Sequence, residues 1–137
     1  MPKPPLPEKV RDLLSKPNPA VITSLRADGQ PVSVATWYLL EDDGRVLLGL
    51  DAERARLKHM RTDPRVSLTV LSSTDWYTHM SLQGRVESIE DDEGLRDIDR
   101  LSRHYTGEAY PNRERPRVSA QVVIDRWHAW GSLKDAG

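Results

Sequence analysis

Cysteine is missing from all 137 residues of this chain, which excludes disulfides, zinc–thiolate sites and thiol nucleophiles. Also missing is any run long and apolar enough for a signal peptide or a membrane span. A cytoplasmic protein with no membrane partner is therefore the expectation. The four histidines, His59, His79, His104 and His128, show no HxH or HExxH spacing, and no Gly-x-Ser-x-Gly elbow is present. No metal site is expected. Asp42-Asp43-Gly44 resembles part of a calcium loop but lacks the downstream ligands and reads as a turn. An excess of one charge is absent as well, with 20 basic residues against 21 acidic ones, so the composition makes no case for a nucleic-acid partner.

The length is that of one domain, enough to bury about 68–70% of the unfolded surface. Residues 1–7 contain four prolines and read as a flexible N-terminal arm, leaving 8–137 as a single domain. Glu8 to Ser15 fits a short helix burying Val10, Leu13 and Leu14, stopped by Lys16-Pro17-Asn18-Pro19. Ala20 to Arg26 and Pro31 to Leu40 read as strands about the turn Ala27-Asp28-Gly29-Gln30, and Glu41-Asp42-Asp43-Gly44 turns the chain into Val46–Leu50. Further on, Arg65 to Leu71 alternates with Val66, Leu68 and Val70 on one face. Asp75 to Glu87 reads as a longer strand with Gly84 at a bulge or close approach. Asp91 to Tyr105 is a helix on Leu95, Ile98 and Leu101, with Glu90 to Glu93 in its acidic first turn, and Val118 to Trp130 closes the chain. Short connections and helices only at the edges point to a mainly β fold, a closed antiparallel sheet of six or seven strands.

Charge is segregated within this neutral total. Arg54, Arg56, Lys58, Arg61 and Arg65 cluster in one stretch, while Glu87, Glu90, Asp91, Asp92, Glu93, Asp97 and Asp99 cluster in another. A locally positive site in a near-neutral protein favours a small anionic ligand over a polyanion. The basic stretch reads as a helix from Ala52 to about Arg61, N-capped by Asp51 and ended by Asp63-Pro64. Leu57 and Met60 form its apolar stripe, and Arg54, Lys58 and Arg61 share another face. A basic helix face taken alone is ordinarily a solvated face. A strand that runs into a helix N-terminus carrying arginines, however, suits a phosphate.

The segment GLDAERARLKHMRTDPRVSLTV, residues 49–70, resembles the signature of the pyridoxamine-phosphate-oxidase-like split-barrel flavoproteins. The resemblance extends over about residues 8 to 131, from AVITSLRADGQPVSVATWYLLEDDGRVLLGL to VIDRWHAWG. Within that family the chain is most similar to the actinobacterial branch that uses the deazaflavin coenzyme F420. The resemblance implies a split β-barrel and an F420-dependent oxidoreductase passing a hydride from reduced deazaflavin to an activated double bond. The alternatives are an FMN-binding protein of the same family and a flavin or deazaflavin binder without turnover.

By the same resemblance Ser33, Val34, Ala35 and Thr36 line the ring, Gly49 and Leu50 border it, and Arg54 and Arg56 hold the phosphate, with Lys58 next along. Arg56 stands where the family most often has lysine, which keeps the role but changes a point charge into a fork. Lys58, Arg61, Lys3 or Lys9 would meet the oligoglutamate tail of the deazaflavin. The family also implies a homodimer with the cofactor at the interface, where Trp76, Tyr77 and Thr78 border the substrate side.

Trp37-Tyr38 and Trp76-Tyr77 are read as strand pairs, each with one aromatic inward and one outward. Tyr77 and His79 are the candidates for supplying a proton, although a lone strand histidine is more often structural. His128 keeps haem binding, seen in some relatives, in view. The substrate is read only as a small organic molecule.

Overall fold

The computed structural model describes residues 1–134; the expected end of the domain at residue 137 lies outside the described residues. Helix α1 (Glu8–Leu14) is followed by strands β1 (Ala20–Leu25), β2 (Pro31–Thr36), β3 (Leu39–Leu40) and β4 (Val46–Asp51). Helix α2 (Ala55–Thr62), strands β5 (Arg65–Leu71) and β6 (His79–Asp91), helix α3 (Arg96–Thr106) and strand β7 (Arg117–Trp130) complete the order. All seven strands form one sheet, ordered β2-β1-β5-β6-β7-β4-β3, with antiparallel neighbours.

That order dictates the shape. β2 and β3 occupy opposite edges of the sheet, yet only Trp37 and Tyr38 separate them. Three Cα steps of about 3.8 Å leave the two edges no more than about 11 Å apart there. The sheet must therefore roll up until its edges nearly meet, and the result is a split barrel. The strand expected from Pro31 to Leu40 is broken at this joint.

The joint is anchored from both sides. Tyr38 is fully buried and donates its hydroxyl to the Leu14 carbonyl at the end of α1, 2.7 Å away. Asn18, also buried, donates to the Tyr38 oxygen at 3.0 Å. Tyr105 of α3 receives the Tyr38 backbone N–H and donates to the Asn18 carbonyl at 2.7 Å. The main core fills the barrel, with Ile22, Leu48, Leu50, Val66, Leu68, Val70, Met80, Leu82, Val122 and Trp127 among its buried members. Leu57 and Met60 of α2 join it, as the apolar stripe of that helix requires. Leu47, Ile98 and Leu101 form a second, smaller cluster under α3.

Several elements begin or end elsewhere than the sequence reading has them. Asp51 does not cap α2: it is the last residue of β4, and its carboxylate accepts the Glu53 N–H at 3.0 Å. The helix begins at Ala55 with no side-chain cap. Strand β6 starts at His79 and continues to Asp91, so Glu90 and Asp91 finish a strand. Asp92 instead caps α3 with both oxygens, receiving the N–H groups of Asp97 and Ile98 at 2.8 Å each. Residues 75–78 form a turn closed by Asp75, so Trp76 and Tyr77 both face outward, 71% and 60% exposed. Residues 1–7, expected as a loose arm, are tied to the barrel. Leu6 is buried in the core and the Trp127 N–H donates to the Pro2 carbonyl.

Gly84 sits where the β6–β7 register shifts, and a Cβ on it would lie 2.1 Å from the Val123 carbonyl oxygen. The close approach read from its place in the strand is real, and only glycine fits it.

Candidate functional site

The split between the sheet edges holds a cavity of about 800 Å³. One edge contributes Ala20, Val21, Ala35 and Thr36; the other contributes Gly49 and Asp51, with Arg117 on the adjoining strand. β3 pairs only with Val46 and Leu47, so β4 from Leu48 onward faces the split without a strand on that side. Trp37 forms one wall, stacked on Tyr105 at 5.4 Å between ring centroids and meeting Tyr110 edge-on at 6.3 Å. Burial holds the Tyr105 phenol at a pKa of about 12, so it is a neutral donor at any physiological pH. An apolar, aromatic wall of this kind suits a flat ligand.

The other wall is cationic. Arg54, the residue preceding α2, and Arg56, in its first turn, both face the cavity, joined by Arg117 from the start of β7. Arg56 Nη1 and Arg117 Nε are buried with no hydrogen-bond partner among the described residues. Burial, then the neighbouring charges of Arg54 and Arg117, depress the Arg56 pKa below the ordinary arginine value. The uncapped N-terminus of α2 adds backbone donors at the same end. Asp51 is the carboxylate in this lining, and it is already engaged by Arg115 Nε at 2.7 Å. The Glu53 N–H, and after it Arg115, Arg117 and Arg54, hold the Asp51 pKa low. Three guanidinium groups thus share a lining whose one carboxylate Arg115 already engages, which leaves the cavity wall positive.

Of the residues singled out from the sequence, Ala35, Thr36, Gly49, Arg54 and Arg56 line this cavity together. Val34, 40% exposed, lines an adjoining depression of about 250 Å³ with Ser24, Val32 and His59, and that depression shares Ala35, Arg54 and Arg56. Ser33 is exposed and lines neither space; its hydroxyl meets that of Thr23 at 2.7 Å. Leu50 is fully buried in the core. Lys58 is exposed and lines neither space.

Trp76, Tyr77, Thr78 and His79 lie away from the cavity. Thr78 is buried and binds Asp75, while the His79 ring stacks on Trp130 at 4.6 Å. No group of three or more metal-ligating side chains occurs among the described residues. No described helix is long and apolar enough to cross a membrane.

Sequence reasoning missed Trp37, Tyr105, Tyr110 and Arg117 as parts of one cavity. The aromatic dipeptide Trp37-Tyr38 was a usable signal, but only as a broken strand. Arg117, read as lying just before the closing strand, carries no local signal at all.

The fold is thus a split barrel with a cationic and aromatic cavity in its split. The family model described as pyridoxamine 5'-phosphate oxidase matches residues 6–131, and the chain belongs to that family. No curated protein matches the sequence. Among solved structures, one named "F420 Reductase" superposes with a TM-score of 0.80 at 23% identity, covering 89% of this chain and 98% of its own. The conserved hypothetical protein Rv2991 from Mycobacterium tuberculosis gives a TM-score of 0.72 at 23% identity, over 96% and 88%. General Stress Protein 26 from Bacillus anthracis gives 0.68 at 19% identity, over 90% and 92%. At these identities the likeness is one of fold.

Proposed function

We propose that this protein is an F420-dependent reductase whose cofactor occupies the split of the barrel. The observation that carries the reading is the buried, unpartnered Arg56 Nη1 beside Arg54, at one end of a cavity walled by Trp37 and Tyr105. Such a group fits a phosphate, which would supply the missing acceptor. The fold likeness to a protein named F420 reductase agrees with it.

Arg54 and Arg56 hold the phosphate, Ala35 and Thr36 seat the ring along their backbone, and Gly49 leaves room beside it. When bound, reduced deazaflavin supplies a hydride to an activated double bond of a small organic substrate. The exposed pair Trp76 and Tyr77 supports a homodimer. Tyr77 and His79 reach a cofactor site only across that interface, because neither lines the cavity of its own chain.

Titration of the purified protein with coenzyme F420 and with FMN, followed by ligand fluorescence, tests the reading. Tight F420 binding, weak FMN binding and loss of both in Arg54→Ala and Arg56→Ala are expected. Tight FMN binding would move the protein to the flavin branch of its family. Binding of neither would overturn the assignment.

A further inference from the structure

We propose that Arg117 is a third anion-binding residue of this cavity, kept in place by Tyr110, and that it closes on the inner side of the phosphate held by Arg54 and Arg56. The inference rests on the reading above and adds to it a residue from β7.

Three observations carry it. The Arg117 Nε–H is buried without a partner among the described residues, which is costly in a finished fold unless something else supplies the acceptor. One candidate inside the protein is Asp51, its register partner across β4 and β7. That carboxylate is taken by Arg115 at 2.7 Å and by the Glu53 N–H at 3.0 Å. Arg56, whose Nη1 is likewise buried without a partner, lines the same space from α2. Two unspent guanidinium donors, brought by different elements to one cavity, make a clamp for an oxyanion rather than a structural pair.

The side chain is also held for the task. The Arg117 guanidinium carbon lies 4.9 Å above the centre of the Tyr110 ring, a cation–π contact that fixes the fork while leaving its in-plane N–H groups free. Tyr110 is fixed in turn by Asp99, which accepts its backbone N–H at 3.0 Å and the Arg113 guanidinium at 2.6 Å. Tyr110 is therefore a positioning residue. Lysine at 117 would keep the charge but lose both the fork and the Nε–H.

The test compares wild type with Arg117→Met, Arg117→Lys and Tyr110→Leu. Affinity for F420 and FMN is read by fluorescence, binding of inorganic pyrophosphate by its effect on the melting temperature, and the ligand-free melting temperature serves as the fold control. Arg117→Met is expected to weaken the bound cofactor roughly tenfold to a hundredfold and to abolish the pyrophosphate shift. Its ligand-free melting temperature should hold or rise, because a buried N–H without an acceptor has gone. Arg117→Lys should recover part of the affinity, and Tyr110→Leu should lose a smaller part.

Wild-type affinity in Arg117→Met would overturn the proposal, as would a fall of several degrees in melting temperature with affinity intact. If wild type binds pyrophosphate but neither cofactor, the cofactor reading fails while the pyrophosphate arm still decides the role of Arg117. No response to any of the three ligands would overturn both.

Discussion

Gly49 lies directly against Leu101: a Cβ on residue 49 would come within 2.9 Å of the Leu101 Cδ1 and 3.4 Å of the Ile98 Cδ1. The glycine lets α3 settle on β4, and it leaves the cavity floor open beside Arg117, whose Nη2 is 3.8 Å from the same point.

The two close-packed glycines should respond differently to alanine. At Gly84 the obstacle is the Val123 carbonyl at 2.1 Å, a backbone atom in the middle of a ladder. Gly84→Ala should cost at least about 1–3 kcal/mol, the usual range for overpacking. At Gly49 the obstacles are side-chain tips that can give way, so Gly49→Ala should cost less stability yet narrow the cavity. Chemical denaturation of both variants, with ligand titration, checks this. Equal destabilisation would refute the distinction.

Alkaline pH should weaken the joint at Trp37-Tyr38. Burial lifts both phenols there, Tyr105 to about 12 and Tyr38 above the ordinary range. In the unfolded chain each ionises near pH 10. Between those values the unfolded state has lost protons that the native state keeps, so stability falls as pH rises. Melting temperature should drop above about pH 10, less steeply in Tyr105→Phe. A Tyr105→Phe profile parallel to wild type would count against this.

Acid should loosen the connection between α3 and β7. The Arg113 hydrogen bond, ahead of the Tyr110 N–H, holds the Asp99 pKa below the usual carboxylate value. Its contribution is complete above the unfolded value of about 3.9 and is lost as pH falls through the lower native one. Asp99→Asn should therefore be less stable than wild type at neutral pH and lose less on acidification. Melting curves from neutral to strongly acid conditions would reveal the convergence, and a constant offset would refute it.

The proposed dimer puts Trp76 and Tyr77 under a partner subunit. Trp76→Ser combined with Tyr77→Ser should shift the protein from dimer to monomer in light scattering while the far-ultraviolet spectrum stays native. An unchanged mass would place the interface elsewhere.

What the sequence revealed about this fold follows how locally each feature is encoded. Alternation marked Val66, Leu68 and Val70 because a strand shows its buried face every second residue. The spacing of Leu57 and Met60 marked the buried side of α2. Ala35, Thr36, Gly49, Arg54 and Arg56 were assembled by resemblance, and they line a single cavity. Asp51 misled because its carboxylate is claimed by Arg115, a partner that only the β4–β7 pairing brings near. Arg117, Tyr105 and Tyr110 could not be grouped with Trp37 beforehand. Their nearness is created by the rolling of the sheet, and no stretch of chain carries a record of it.

That rolling leaves a hoop with a gap. β2 and β4 face each other across the split, each hydrogen-bonded to a strand on its far side. A ligand touching Ala35 and Thr36 on one lip and Gly49 and Arg117 on the other would span the gap as a clasp. Slowed amide exchange should then appear along both lips at once, which turns occupancy of the site into stiffness of the whole barrel.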